Sequence, residues 1–171
     1  RAIWAASEWT EKVTESASPW DLSGTLVGVK EYIAEVVFRH FAEKNWDRVI
    51  SIADASHRLY LNTSLYPRIL SPANASHTRQ IDAAIQSEAA EAYRHKADVN
   101  RTLVHAYRAL DLLEESGLRD VDLMCMTTGL SAHRCAGWSH WRQGHYPQAL
   151  KLYTVACRGL LASALVSSER M

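Results

Sequence analysis

Apolar residues recur at intervals of three and four along most of the chain, which is the period of an α-helix with one buried face. The run from 24 to 45 is the clearest early example, and its apolar face holds Val29, Ile33, Val36, Val37, His40 and Phe41. No segment shows the alternation of apolar and polar residues, bounded by turns, that is typical of β-strands. The pattern predicts an all-α fold.

Prolines, glycines and capping residues mark where the predicted helices begin and end. Pro19 ends a short N-terminal helix, because the residue before a proline is driven out of the helical region. Ser23 has the character of an N-cap for the helix that follows, and Gly117 that of a C-cap. We therefore expect one domain spanning 1–171, with an N-terminal helix at about 2–17, a loop at 62–80, and helical hairpins at about 24–61, 81–117 and 121–169.

The composition is that of an ordinary globular protein, and the chain carries no net charge. Hydrophobic residues make up 47% of the 171 residues and charged residues 22%, which argues against disorder. Lys and Arg number 19 together, as do Asp and Glu, so a general attraction to nucleic acid or anionic membrane is excluded. No apolar run approaches the ~20 residues of a membrane helix, and no membrane span is expected.

The cysteines favour a reducing, intracellular location, either cytoplasmic or organellar. Their number is odd and no Cys-x-x-Cys pair occurs, which fits thiols better than a disulfide framework: they are Cys125, Cys135 and Cys157. Three Asn-x-Ser/Thr triplets leave open whether glycosylation in another compartment uses them: they begin at Asn62, Asn74 and Asn100.

The second helices of the three hairpins share a sequence pattern. A small or polar turn is followed by a ring or a valine and then by a small or apolar residue, with Val49, Thr102 and Ala149 at the equivalent place. The first helices agree, because Ala89-Ala90 precedes Tyr93 as Ala136-Gly137 precedes His140. The equivalent positions are 53 residues apart (49 to 102) and 47 apart (102 to 149).

This pattern resembles the tetratricopeptide repeat, in which small residues let paired helices approach and rings fill the groove between them. The best match lies in 131–160, where the motif residues are Gly137, Gly144, Tyr146, Ala149, Tyr153 and Ala156. The spacing departs from the family's ~34 residues, so the hairpins here are longer. The resemblance implies a right-handed superhelix of stacked antiparallel hairpins.

The resemblance also implies a groove lined by the first helices, which binds a peptide or a helix of a larger assembly. The outward positions of the third pair hold two tryptophans between arginines, residue types that are enriched in binding hot spots. The predicted partner-binding residues are Arg134, Trp138, Trp141 and Arg142 on the third pair, with Arg94 and His95 on the second beside Ser87 and Glu91. Packing of the tryptophans against a neighbouring helix is the alternative for that pair.

Two other functions remain open on the sequence. Helical-repeat proteins can hold single-stranded RNA with basic and aromatic side chains, and the second pair contains Arg94, His95, Lys96, Arg101 and Arg108. The stretch 144–161 also resembles the second helix of a microtubule-interacting-and-trafficking domain, which is a three-helix bundle.

Neither a metal, a cofactor nor catalysis is expected. His133, Cys135, His140 and His145 lie close in sequence, but His133 and Cys135 point about 200° apart on a helix, which does not suit a tetrahedral zinc site. No phosphate loop, nucleophile elbow or HExxH motif occurs. The carboxylates Glu88 and Asp98 do not form a catalytic constellation.

We expect the last predicted helix to leave an apolar stretch at 160–166 partly uncovered. Stacked hairpins normally end in a polar capping element, so this edge is a candidate interface and a homo-oligomer through it is possible.

Overall fold

The computed structural model describes residues 19–62, 72–116 and 123–168. Six helices follow one another in these stretches: α1 (Pro19–Ala42), α2 (Trp46–Asn62), α3 (Pro72–His95), α4 (Val99–Ser116), α5 (Leu123–Arg142) and α6 (Tyr146–Ser168). No strand occurs in these three stretches, so the predicted all-α fold is confirmed there. The predicted helix at 2–17 lies outside the described residues.

The same tight turn joins the two helices of each hairpin. One residue of each turn is left-handed, with φ angles of 56°, 58° and 79° at Lys44, Ala97 and Gly144. In the first turn, Lys44 N donates to Phe41 O and Asn45 N donates to His40 O, both at 2.9 Å. These are the two backbone bonds of a Schellman motif, and both recur in the second and third turns. The chain therefore reverses direction within three residues in all three hairpins.

The shared turn puts the second helices in register with one another. Val49, Thr102 and Ala149 are each the fourth residue of their helix, and each is buried. Their amides donate to the carbonyls of Asn45, Asp98 and His145, the residues that precede each helix. The three positions thus occupy the same place in their helices, and offsets of 53 and 47 residues relate them.

Facing positions in the hairpins share a limited volume. Gly137 of α5 lies so close to α6 that a Cβ atom there would be 3.2 Å from the ring of Tyr153. The offsets relate these two residues to Ala90 and Ala106 in the second hairpin, which share one buried cluster. In the first hairpin the equivalent residues are Val37 and Ala53, which share a second buried cluster. At least one of the two facing residues is therefore small in each hairpin, and the backbones approach closely.

Helix α3 lies at the centre of the packed helices. It contacts both α1 and α2 of the preceding hairpin, α4 of its own hairpin and α5 of the next. Neighbours surround it, and five of its fourteen buried residues are alanine: Ala83, Ala84, Ala89, Ala90 and Ala92. The contacts between α4 and α5 continue the stack to the third hairpin.

A buried ion pair joins the first and second hairpins. Lys30 of α1 is fully buried, and its Nζ lies 2.5 Å from Asp82 Oδ1 of α3. The same amine donates to the Ser56 hydroxyl of α2 at 3.2 Å, so one cation joins three helices. Burial raises the pKa of Asp82, and the charge of Lys30 opposes that rise.

Two helices begin earlier than the sequence predicts. α1 begins at Pro19 rather than after Ser23, and α3 begins at Pro72, so the loop predicted for 62–80 is wrong from Pro72 onward. A proline in the first turn of a helix loses no intrahelical bond. Packing also stabilises the start of α3, because Ala75 packs beside Leu26 and the Ser76 hydroxyl donates to Ser116 O at 2.7 Å. Residues 63–71 are outside the described stretches.

The close approach at Gly137 can be tested by substitution. We expect Gly137→Ala to lower the free energy of unfolding by about 1–2 kcal/mol, because the new methyl group would press on the Tyr153 ring. Gly28→Ala is the matched control, since an added Cβ there meets nothing within 4 Å and alanine favours a helix by ~1 kcal/mol. Equilibrium denaturation measures both, and a Gly137→Ala variant as stable as the wild type would contradict the packing.

Candidate functional site

The carboxylate of Glu91 organises a polar cluster where α3 meets α5. Its side chain is only 6% exposed. Arg94, three residues along the same helix, donates from Nε to Oε2 at 3.0 Å. From α5, Cys135 Sγ donates to Oε2 at 3.0 Å and Arg134 Nη2 lies 3.2 Å from Oε1. One buried carboxylate therefore ties the second hairpin to the third.

These neighbours set the protonation of the cluster. Burial favours the neutral form of Glu91, but the hydrogen bonds from Arg94 and Cys135 and the charge of Arg134 outweigh it, so the pKa of Glu91 lies below its usual range. Glu88, one turn earlier on α3, is half-buried, and burial together with the charge of Glu91 raises its pKa to about 7. Burial also raises the pKa of the Cys135 thiol, which stays protonated and can donate.

Three of the predicted partner-binding residues meet at this carboxylate. Arg94 and Arg134 contact it directly, and His95 Nε2 lies 3.6 Å from Oε1. The imidazole of His95 also stacks on Trp46 of α2, with ring centroids 4.4 Å apart and planes 3° apart. His95 therefore packs partly against the first hairpin, and 41% of its side chain is exposed.

The other three predicted residues form the outer part of the same surface of α5. Trp138 is half-buried, and the Arg142 guanidinium lies 5.9 Å from its ring centroid, within range of a cation–π interaction. Trp141 is 51% exposed. The tryptophans thus divide between the two alternatives, with Trp138 partly packed and Trp141 facing solvent.

The hairpin offsets reveal one residue that the sequence reasoning missed. Trp138 is equivalent to Glu91 in the second hairpin and to Phe38 in the first, and Phe38 is 40% exposed. The three first helices therefore place an aromatic ring, a carboxylate and a second aromatic ring at one register position. The repeat offsets are the signal that could have found Phe38.

A second polar cluster lies within the first two hairpins. His105 of α4 is buried, hydrogen-bonded through Nδ1 to Gln86 Oε1 at 2.8 Å, and stacked on Tyr93 with centroids 5.0 Å apart. Burial lowers the pKa of His105 to about 4, although Asp54 opposes that shift. A cavity of about 180 Å³ lies beside it and has room for several waters: its lining is His57, Asp82, Gln86, Arg108, Asp111, Leu112 and Glu115.

The histidines considered as metal ligands have other contacts. His133 Nδ1 is hydrogen-bonded to Gly129 O at 2.7 Å, and His140 Nε2 to the Tyr107 hydroxyl at 2.9 Å. Within 19–62, 72–116 and 123–168, no group of three or more His, Cys, Asp or Glu residues is arranged to hold a metal ion.

The basic residues considered for RNA binding lie beside carboxylates. Arg94 pairs with Glu91, and Lys96 forms an ion pair with Asp47 of α2. Arg101 lies 3.6 Å from Asp98. These cations are partly neutralised and lie around the turn that joins α3 to α4.

The fold and these clusters define an all-α protein built from antiparallel helical hairpins. The chain matches no protein-family model, no curated protein and no solved structure. Among the described helices, none is long and apolar enough to cross a membrane.

The raised pKa of Glu88 predicts a specific dependence of stability on pH. The folded pKa of about 7 exceeds the unfolded value near 4.5, so the folded state binds the proton more tightly and stability falls as pH rises between these values. We expect Glu88→Gln to remove up to about 3 kcal/mol of this loss. Denaturation of the wild type and the variant from pH 5 to pH 8.5 measures the difference between their free energies of unfolding. The titration of His105 affects both proteins equally and does not contribute to this difference. Parallel stability curves for the two proteins would contradict the assignment.

Proposed function

We propose that this chain is a tetratricopeptide-like interaction scaffold whose hairpins stack into a right-handed superhelix. The repeated turn and the successive contacts of α1 with α3 and of α3 with α5 support this proposal, because such a stack places the first helices side by side. The partner is a protein or peptide within a larger assembly. Catalysis, a metal and a cofactor are not part of the proposal.

The observation that carries the proposal is the exposed Trp141 beside the Trp138–Arg142 pair. Tryptophan and arginine dominate interface hot spots, because a rigid ring buries a large apolar area and a guanidinium binds carboxylates in a fixed geometry. Phe38 occupies the equivalent register position of the first hairpin and is also exposed.

The charges of the surface favour a partner that carries a carboxylate close to an apolar side chain. The guanidinium of Arg134 is 55% exposed, while the carboxylate that it touches is also satisfied by Arg94 and Cys135. Arg142 is exposed one helical turn beyond Trp138. Two arginines therefore flank an aromatic ring, and an acidic peptide or helix would contact all three.

The rival functions receive less support. The ion pairs of Lys96 with Asp47 and of Arg101 with Asp98 reduce the positive charge available to RNA. Six described helices exceed the three of a microtubule-interacting-and-trafficking domain. An intracellular, reducing location remains part of the proposal, and the exposed Cys157 thiol is compatible with it.

Affinity purification of the tagged full chain from its source cells, read by mass spectrometry after nuclease treatment, tests the proposal. We expect a defined protein partner that survives nuclease and whose recovery falls at least tenfold with Trp138→Ala combined with Trp141→Ala. Tyr32→Ala is the matched control, because Tyr32 is 62% exposed on α1 but occupies the position equivalent to Ala132, away from the Trp138 row.

Circular dichroism confirms that each variant is folded. If every bound protein is lost on nuclease treatment, the scaffold proposal is wrong and the chain associates with RNA. Equal recovery of the partner with the wild type and the double variant would show that the tryptophan surface is not the binding site.

A further inference from the structure

Helix α6 has an uncharged, largely exposed row of residues that the groove does not use. The row follows alternating steps of four and three, which is the a/d pattern of a coiled-coil seam: Tyr146, Leu150, Tyr153, Cys157 and Leu160. Tyr146, Leu150 and Leu160 are 63%, 68% and 57% exposed, and Cys157 is exposed as well. Tyr153 is half-buried because its ring also covers Gly137. We call these five residues the α6 seam.

The equivalent row of α4 is an interface within the chain. The 47-residue offset relates the α6 seam to Val99, Leu103, Ala106, Leu110 and Leu113. Leu103 and Ala106 pack with Cys135 and Ala136 of α5, and Leu110 packs with Ala132. In α2 the residue equivalent to Leu150 is Ile50, which packs into the core formed with α3. The repeat therefore uses this row for helix packing twice, and the α6 seam is its third copy.

We propose that the α6 seam is a dimer interface, in which α6 of a second copy of this chain packs antiparallel against it across a two-fold axis near Tyr153. The row extends about equally far on either side of Tyr153, so two antiparallel copies centred there present the same face to each other. The axis places Leu150 opposite Cys157 of the partner subunit, and Tyr146 opposite Leu160 of the partner subunit. A larger side chain then faces a smaller one in the layers on either side of the axis, where the two Tyr153 rings meet.

The charges on α6 agree with self-association. Between 146 and 161 the charged residues are Lys151 and Arg158, and helical geometry places both more than a quarter turn away from the seam. Two copies therefore meet without opposed cations. Antiparallel packing also aligns the two helix dipoles favourably.

Continuation of the stack from α6 onto α1 of a second copy is disfavoured by the residues of α1. The positions that are Ala89 and Ala92 in α3 are Val36 and Arg39 in α1. These larger and charged residues prevent the close approach that alanines allow. Head-to-tail stacking would also give an open polymer, whereas α6 pairing closes as a dimer.

Analytical ultracentrifugation of the purified full chain tests the dimer. We expect a monomer–dimer equilibrium whose dissociation constant rises at least a hundredfold with Leu150→Asp, because a carboxylate would be buried in the seam. Val155→Asp is the matched control: Val155 is 42% exposed on the opposite side of α6, and the dimer should persist. Circular dichroism checks the fold of both variants. A monomeric wild type, or a dimer that Leu150→Asp leaves intact, overturns the proposal.

Disulfide trapping tests the orientation. Under mild oxidation, Leu150→Cys should form a covalent dimer linked to Cys157 of the partner subunit, identified by peptide mass spectrometry. The two positions are about 10 Å apart within one helix, too far for an intrachain bridge. Val155→Cys should give no such dimer. Efficient Cys157-to-Cys157 linkage in the wild type would instead show a parallel pair and overturn the antiparallel arrangement.

Discussion

The left-handed residue in each hairpin turn is the constraint on which the rest of the structure depends. Because the backbone reverses within three residues, the second helix must return along the first in one fixed register. That register is the same in all three hairpins, as shown by the matching backbone bonds around Lys44, Ala97 and Gly144. The small residues on facing helices then follow as a requirement, since two helices leaving so tight a turn are already close.

The polar clusters follow from the same register. With the hairpins stacked, α3 and α5 lie side by side, and Glu91 meets Arg134 and Cys135 more than forty residues further along the chain. Burying a carboxylate is costly unless several donors satisfy it, and Arg94 supplies the remaining hydrogen bonds. Trp138 and Trp141 lie on the same helix as Arg134 and Cys135, and Trp141 is exposed.

Sequence periodicity was enough to predict the all-α fold of the described residues, and it aligned Val49, Thr102 and Ala149, which are each the fourth residue of a helix. It could not predict the start of α3 at Pro72, because contacts with α1 and α4 outweigh the local turn formers there. Ala97 has no side-chain feature that signals a positive φ angle. The contacts of Arg134 and Cys135 with Glu91 depend on how α5 is rotated about its own axis, and the sequence alone does not predict that rotation.

The effect of Ala97→Gly on stability tests the repeated turn most directly. Alanine in a left-handed conformation is strained, and glycine relieves that strain, so the free energy of unfolding should rise by about 1 kcal/mol. If residue 97 instead belongs to an ordinary helix, glycine lowers stability by about the same amount. An increase measured by equilibrium denaturation supports the hairpin stack, and a decrease contradicts it.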